Sequence, residues 1–248
     1  MPGRLLSART ITALREELAN VKNPEKLMMA HWEKRRGSPI TIEELKESII
    51  LRAKMLAETG RLGKNDLIVE NGCGKGELIK SLREDGYAAV GLDIVRHEKM
   101  PPSSFIRANL EKLPFKDNKV KLFVDAFGLG YTDIDEATKE MWRVLAPGGK
   151  ALIMLHHPDK MEAAMEELLG PFGIRRADFD RYIGENPGIF VRNYYPVSRW
   201  IVNAFEKKEA AKRFFEGKGF KVPFIGEDFI TPKKGGKIGL TYCLILEK

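Results

Sequence analysis

Residues 70–77 read Glu70-Asn71-Gly72-Cys73-Gly74-Lys75-Gly76-Glu77, directly after the apolar run that starts at Asp66. Glycines at alternate positions allow backbone dihedrals that other residues avoid, and they let the main chain approach a ligand without a Cβ in the way. From Asp66 onward, short apolar runs alternate with amphipathic stretches, which is typical of β-α-β units and a mostly parallel sheet. The stretch therefore predicts a strand, a ligand-binding turn and the start of a helix.

The same texture predicts the other elements of an α/β fold. Predicted strands cover 66–70, 88–93, 103–107, 120–126, 149–155, 221–230 and 239–247. Predicted helices cover 8–22, 41–60, 76–85, 134–145 and 206–217. The last two strands flank a Pro-Lys-Lys-Gly-Gly turn, so they predict an antiparallel hairpin that completes a seven-stranded sheet.

The chain divides into an N-terminal segment and one larger domain. Residues 1–62 predict a small helical appendage, because breaks such as Asn23-Pro24 separate its two predicted helices. Residues 63–248 predict a single α/β domain, since 248 residues suffice for one sizeable core. Within it, residues 158–205 are an insertion after the fifth strand, of a length that often forms a functional lid.

Composition excludes several classes of protein. The two cysteines, Cys73 and Cys243, are 170 positions apart, which fits neither a metal site nor a disulfide scaffold and favours a cytoplasmic location. The apolar runs are shorter than the roughly 20 residues that span a bilayer, so no membrane segment is expected. The 31% of charged residues and the absence of glutamine indicate a thermophilic source. The net charge of +7 arises from bases interleaved with acids, as on solvated surfaces.

The glycine pattern selects among nucleotide-binding turns. A dinucleotide fingerprint would require glycine at position 77, where Glu77 would repel a pyrophosphate. A phosphate-binding Walker loop would place its second glycine at Ile79. Asp93 closes the second strand, where an acid can accept hydrogen bonds from two ribose hydroxyls. The pattern therefore favours a nucleoside ligand.

These residues resemble the class I S-adenosylmethionine-dependent methyltransferases. The resemblance rests on Ile68-Val69-Glu70-Asn71-Gly72-Cys73-Gly74-Lys75-Gly76, on 108–115 after strand three, and on the helix and Pro-Gly-Gly turn at 141–149. It implies a Rossmann-like seven-stranded fold of the small-molecule branch and S-adenosyl-L-methionine as methyl donor, with S-adenosyl-L-homocysteine as product. Asn109 stands where the family has an acid, and Lys121 also departs from its pattern.

The resemblance assigns the donor site residue by residue. Glu70 is expected at the methionyl amine, Asp93 at the ribose, and Asn109 with the Leu110 N–H at the adenine. The complete set expected to bind the donor is Glu70, Asn71, Gly72, Cys73, Gly74, Gly76, Asp93, Ile94, Asn109, Leu110, Asp125 and Phe127. His156, His157 and Tyr131 follow later strands on the ligand side, and they are the candidates for catalysis.

The sequence does not identify the methyl acceptor and leaves several alternatives open. A small molecule is expected, held by aromatic side chains and arginines of the insertion. The same residues could instead form a small satellite core, or stack RNA bases. A binding or regulatory subunit that keeps the nucleoside pocket, or an RNA or protein methyltransferase, is the alternative function. The sequence predicts no metal site and leaves the oligomeric state undetermined.

Overall fold

The computed structural model describes residues 42–94, 96–156, 192–194, 199–201, 207–230 and 239–248. Within this part of the chain lie four α-helices: α1 (Ile42–Thr59), α2 (Glu77–Glu84), α3 (Ile134–Val144) and α4 (Lys208–Gly217). The strands are β1 (Leu67–Asn71), β2 (Ala88–Asp93), β3 (Phe105–Arg107), β4 (Val120–Ala126), β5 (Leu145–His156), β6 (Arg192–Tyr194), β7 (Arg199–Ile201), β8 (Lys221–Ile230) and β9 (Gly239–Glu247). Short 3₁₀ turns occupy Pro102–Ser104 and Gly128–Tyr131. None of the described helices is long and apolar enough to cross a bilayer.

Seven strands form one sheet in the order β3-β2-β1-β4-β5-β9-β8. The pairs from β3 to β5 are parallel, whereas β9 pairs antiparallel with both β5 and β8. This topology confirms the predicted Rossmann-like sheet and its C-terminal hairpin. Strands β6 and β7 pair in a separate two-stranded sheet inside the predicted insertion, and the sequence did not predict them.

Two strand starts differ from the predictions by two residues or more. The predicted third strand loses its first residues, because Pro102–Ser104 form a 3₁₀ turn. Strand β5 begins at Leu145 rather than at 149, since Leu145 pairs with Val120 and the Pro-Gly-Gly stretch is an irregularity within the strand. The C-terminal Lys248 supports this irregularity by accepting from the Gly148 N–H and donating to the Gly149 carbonyl.

Apolar side chains cover both faces of the sheet, as a doubly covered parallel sheet requires. Along β1, Ile68 packs into the cluster on the face of α1 and α2, and Val69 packs into the opposite cluster. Along β4, Leu122 and Val124 face the first cluster, whereas Phe123 faces the second. The site-bearing strands are therefore fixed from two sides.

Helix α1 packs against the main sheet. Its apolar stripe, Leu45, Ile49, Ala53 and Leu56, is buried against sheet residues of the first cluster. A helix stabilises the fold when its continuous apolar face is buried, so α1 is part of the main core. The predicted helix at 8–22 lies outside the described residues, and the domain boundary at residue 62 stays a prediction.

A buried ion pair joins α1 to the far hairpin. Arg52 donates to both carboxylate oxygens of Asp228 on β8, at 3.1 and 3.3 Å. Both residues are at most 9% exposed. Because unpaired buried charges are costly, this pair fixes the position of α1 relative to β8.

Breaking this pair from one side should be strongly destabilising. Arg52→Met leaves the Asp228 carboxylate buried without this cation, so we expect a loss of about 3–5 kcal/mol in the free energy of unfolding. The double variant Arg52→Met/Asp228→Leu should recover much of the loss, as measured by urea denaturation. Lys221→Ala removes an exposed partner of Glu247 and serves as control, with an expected change below about 1 kcal/mol. A loss below about 1 kcal/mol for Arg52→Met would contradict this account.

Candidate functional site

The turn from β1 into α2 passes three times through left-handed backbone. Gly72, Gly74 and Gly76 have φ values of 66°, 47° and 74°, which L-residues with a Cβ rarely adopt. The Cys73 N–H donates to the Leu92 carbonyl at 3.0 Å, and the Gly76 N–H donates to the Cys73 carbonyl at 2.7 Å. The turn is thereby held against β2, with its glycines facing open space or close neighbours.

Methionine and cysteine side chains pack beneath the turn. A Cβ on Gly76 would lie 2.1 Å from the Met100 Sδ, and a Cβ on Gly91 of β2 would lie 2.6 Å from the Cys73 side chain. The contact with the Cys73 Cβ disfavours any side chain at Gly91, and the φ of 74° together with Met100 disfavours one at Gly76. By contrast, a Cβ on Gly74 would meet no heavy atom within 4 Å, so that position faces free volume.

A cleft of about 460 Å³ lies beside the turn, at the carboxyl ends of β1 and β4. Its lining from the turn and strands includes Glu70, Gly72, Cys73, Gly74, Ala126 and Phe127. Ligands of open α/β sheets bind at this edge, and the volume is in the range of about 300–1,000 Å³ usual for small-molecule pockets. Five predicted donor-site residues thus meet at one cleft: Glu70, Gly72, Cys73, Gly74 and Phe127.

The carboxyl group of Glu70 is buried, with 7% of the residue exposed. Its Oε2 atom has no hydrogen-bond partner among the described residues. Burial raises the pKa of Glu70 well above its usual value, and the nearby carboxylates of Glu77, Asp125 and Asp93 raise it further. A cation placed at this end of the cleft would satisfy the oxygen and relieve the repulsion.

Asp93 and Ile94 lie at the carboxyl end of β2. The Oδ2 atom of Asp93 accepts a hydrogen bond from the Gly74 N–H at 3.2 Å, which fixes the carboxylate against the turn. Ile94 is 66% exposed, unusual for a large apolar side chain in the described part of the chain. An exposed apolar side chain next to a hydrogen-bonding acid suits a ligand with an apolar face and hydroxyl groups.

Asn109 and Leu110 lie near Asp93 but do not line the cleft. The Ala108 N–H donates to the Asp93 carbonyl at 3.2 Å, which places the segment at the same edge of the sheet. The Oδ1 of Asn109 accepts from the Glu111 N–H at 3.2 Å, so the side chain already holds a local turn. Leu110 is buried.

Asn71 and Asp125 lie behind the cleft rather than in it. Asp125 is fully buried, and its oxygens accept hydrogen bonds from the Asn71 side chain and the Leu129 N–H. Burial raises the pKa of Asp125 to about 6, although the hydrogen bonds from Leu129, Asn71 and Gly128 oppose the shift. Both residues thus hold the loop after β4, in which Phe127 adopts a φ of 76°.

Gly76 also lies away from the cleft and lines a second groove on the other flank of the turn.

For two of the three catalytic candidates, the structure describes the backbone position alone. His156 ends β5, opposite Thr241 of β9, and Tyr131 ends a 3₁₀ turn. Their side chains, and the whole of His157, lie outside what the structure describes.

Sequence reasoning missed one wall of the cleft. Leu45, Lys46, Ile49 and Ile50 of α1 line it, as does His97 from the segment after β2. The three-to-four spacing of apolar residues indicated a buried helix face. It gave no signal that this face borders the glycine turn, since that depends on the tertiary position of α1.

Reactive thiols and metal clusters are not features of the described site. Burial raises the pKa of Cys73 to about 12, so its thiol is protonated at neutral pH. No group of three His, Cys, Asp or Glu side chains that could hold a metal ion occurs within the described residues.

Comparisons with known proteins agree with this geometry. The family described as "Methyltransferase domain" matches residues 69–153. A ubiquinone/menaquinone biosynthesis C-methyltransferase of Shewanella baltica is 40% identical over 82 residues, 32% of this chain and 33% of its own length. The chain thus spans about one third of the curated relatives it matches. Residues 69–153 therefore resemble a methyltransferase domain.

Two solved structures share the fold. A SAM-dependent methyltransferase of Methanosarcina mazei has a TM-score of 0.57 at 18% identity, covering 77% of this chain and 96% of its own. A 1,6-didemethyltoxoflavin-N1-methyltransferase of Burkholderia thailandensis, solved with 1,6-didemethyltoxoflavin and S-adenosylhomocysteine, has a TM-score of 0.54 at 12% identity. It covers 100% of this chain, and 93% of its own length is matched.

The buried Asp125 predicts a specific pH dependence of stability. Its pKa is about 6 in the folded state against 3.8 for the ordinary group, so the folded state retains a proton that the unfolded state releases. This contribution to stability is complete below pH 3.8 and is lost as the pH rises through about 6, a total of about 3 kcal/mol. The stability of the wild type relative to Asp125→Asn should therefore fall over that range in urea titrations. A difference that does not vary with pH would contradict the assignment.

Proposed function

We propose that the chain is an S-adenosyl-L-methionine-dependent methyltransferase that acts on a small-molecule acceptor. The observation that carries the proposal is the buried Glu70 carboxyl, whose Oε2 lacks a partner among the described residues, at the edge of a turn with glycine at three alternate positions. The methyl donor carries a sulfonium and an ammonium group, so it is a cationic nucleoside. The four carboxyl groups of Glu70, Glu77, Asp93 and Asp125 suit that charge.

The residues around the cleft fit the other parts of the donor. Gly72 and Gly74 would leave room for its close approach, and the Asp93 carboxylate, fixed by the Gly74 N–H, would accept hydrogen bonds from the ribose hydroxyls. Ile94 offers an apolar face for the adenine, with the Asn109 amide and the Leu110 N–H as candidates for its polar edge. Asn71 and Asp125 act in this proposal by holding the turn and the Phe127 loop.

The chain's own residues contribute mainly by positioning. When bound, the donor supplies an electrophilic methyl group. The apolar wall formed by Ile49, Ala126 and Phe127 would exclude water and orient the acceptor, and orientation can be worth about 7–11 kcal/mol. His156, His157 or Tyr131 would accept a proton where the acceptor must lose one, for a further factor of about 10² to 10⁴.

Several observations support a small acceptor and a cytoplasmic location. The Burkholderia neighbour was solved with a small heterocycle, and the name of the Shewanella relative places it in quinone biosynthesis. The insertion at 158–205 is proposed as the lid over the acceptor. Both cysteines are free and buried, as is usual in reducing compartments.

Donor binding should release a proton and depend on Glu70. Because the free carboxyl has a raised pKa and the cationic donor favours its ionised form, affinity should rise with pH through that pKa. Calorimetry in buffers of different ionisation enthalpy measures the released proton. Glu70→Gln should weaken donor binding about 10- to 100-fold, the size of a charge-assisted hydrogen bond, and abolish the pH dependence. Glu216→Gln, an exposed acid of α4, is the control, and equal affinity in Glu70→Gln would reject the assignment.

Two glycine variants separate function from backbone strain. Gly74→Ala and Gly148→Ala both place alanine at positive φ with no heavy atom within 4 Å of the new Cβ, so each should lose about 1–2 kcal/mol of stability. Gly74 borders the cleft, whereas Gly148 lies near the amino end of β5.

Methyl transfer itself is measured with methyl-labelled donor and separate small-molecule, RNA and protein fractions of a cell extract. The wild type and Gly148→Ala should label the small-molecule fraction, and Gly74→Ala should lose most donor binding and transfer. Label in the RNA or protein fraction would overturn the acceptor class. Donor binding without label in any fraction would favour a regulatory subunit.

A further inference from the structure

A groove of about 530 Å³ lies on the other flank of the glycine turn. It runs between α2 and the segment that links β2 to β3. Its floor includes Ile79 and Met100, each 1% exposed, and Pro101 lines it from the linking segment. The groove is therefore a depression with an apolar floor, large enough for a small organic molecule.

The groove follows from an unusual crossover connection. Parallel strands are usually joined through an α-helix of about a dozen residues that packs on the sheet. Between β2 and β3, the described residues contain only the 3₁₀ turn Pro102–Ser104. Helix α2 consequently has Met100 against its Ile79 flank rather than a second helix.

The rim of the groove is cationic. It carries Lys75, Lys80, Arg83 and Lys99 against two acids, Glu77 and Glu84. Within the described residues, the ammonium groups of Lys75 and Lys99 make no ion pair.

The remaining charges of the rim are only weakly neutralised. The Lys80–Glu84 pair is 3.9 Å apart with side chains 78% and 64% exposed, so its attraction is weak. Arg83 uses one N–H for the Ala89 carbonyl at 3.2 Å, which orients the guanidinium and leaves its other donors for a ligand. The rim therefore favours an anion.

We propose that this groove is a second ligand site, for a small organic anion with an apolar body and a carboxylate, sulfonate or phosphate group. The apolar body would lie on the exposed Pro101, above the buried Ile79 and Met100, and the anionic group would pair with Lys80, Arg83 and Lys99. The site stands independently of the function proposed above. Its regulatory consequence rests on that function, because Lys75 and Glu77 line both the groove and the donor cleft. A ligand that moves these residues changes donor affinity, and the donor must change the ligand's affinity equally.

The test uses 1-anilinonaphthalene-8-sulfonate, an apolar anion whose fluorescence rises on binding. The wild-type protein should bind one equivalent saturably. Lys80→Glu/Lys99→Glu reverses two rim charges and should weaken binding at least tenfold. Lys212→Glu/Lys221→Glu is the matched control: it reverses two exposed lysines elsewhere, one of them paired i,i+4 with Glu216 as Lys80 is with Glu84, and should bind as the wild type does.

Four results would overturn the site. One is the absence of saturable binding to the wild type, and another is equal weakening in both double variants. The third is one-for-one displacement of the probe by S-adenosylhomocysteine, which would place it in the donor cleft. Displacement by an equimolar single-stranded oligonucleotide with a steep salt dependence would assign the rim to nucleic acid and also reject the proposal.

The coupling between the groove and the donor cleft is measured in a separate experiment. Saturating S-adenosylhomocysteine should shift the probe's dissociation constant at least twofold without changing its stoichiometry, and an unchanged constant would reject the coupling. Calorimetry first establishes whether S-adenosylhomocysteine binds. If it does not, the donor assignment and the coupling fail together, whereas the comparison of the two double variants still decides the second site.

Discussion

The turn between β1 and α2 must pass through left-handed backbone at Gly72, Gly74 and Gly76 while it stays hydrogen-bonded to β2. This constraint determines much of its surroundings. Met100 fills the space beneath Gly76, and Gly91 is free of a Cβ so that Cys73 can pack against it. The close packing below and the open volume above make the turn a rigid surface for a ligand, with little to reorganise on binding.

Electrostatics gives this surface its selectivity. Glu70 lies under the turn with a raised pKa, and the other carboxylates nearby add to the same shift. Such a cluster disfavours phosphates and favours a cation. Asp125 belongs to the cluster but stabilises the fold, because its oxygens accept hydrogen bonds from Asn71 and from the loop after β4. Helix α1 closes the cleft, and the Arg52–Asp228 pair ties this helix to the C-terminal hairpin.

Local sequence signals were sufficient for the strands and for the centre of the site. The bounds of β2, β4, β8 and β9 agree with the predictions, because alternation and turn residues mark both of their ends. The start of β5 was missed, since Pro-Gly-Gly reads as a turn and its pairing with Lys248 is non-local. For the same reason, sequence alone could not place Ile49 or His97 at the cleft, or Asp125 behind it. Such positions depend on packing between distant segments.

The proposed function requires that the turn and its acids bind the methyl donor rather than a dinucleotide. Titration calorimetry of the wild-type protein with S-adenosylmethionine, S-adenosylhomocysteine and NADH tests it most directly. The account predicts one saturable site for the first two ligands and no NADH at that site, because Glu77 at the cleft repels a pyrophosphate. Displacement of S-adenosylhomocysteine by NADH, or binding of neither nucleoside, would contradict it.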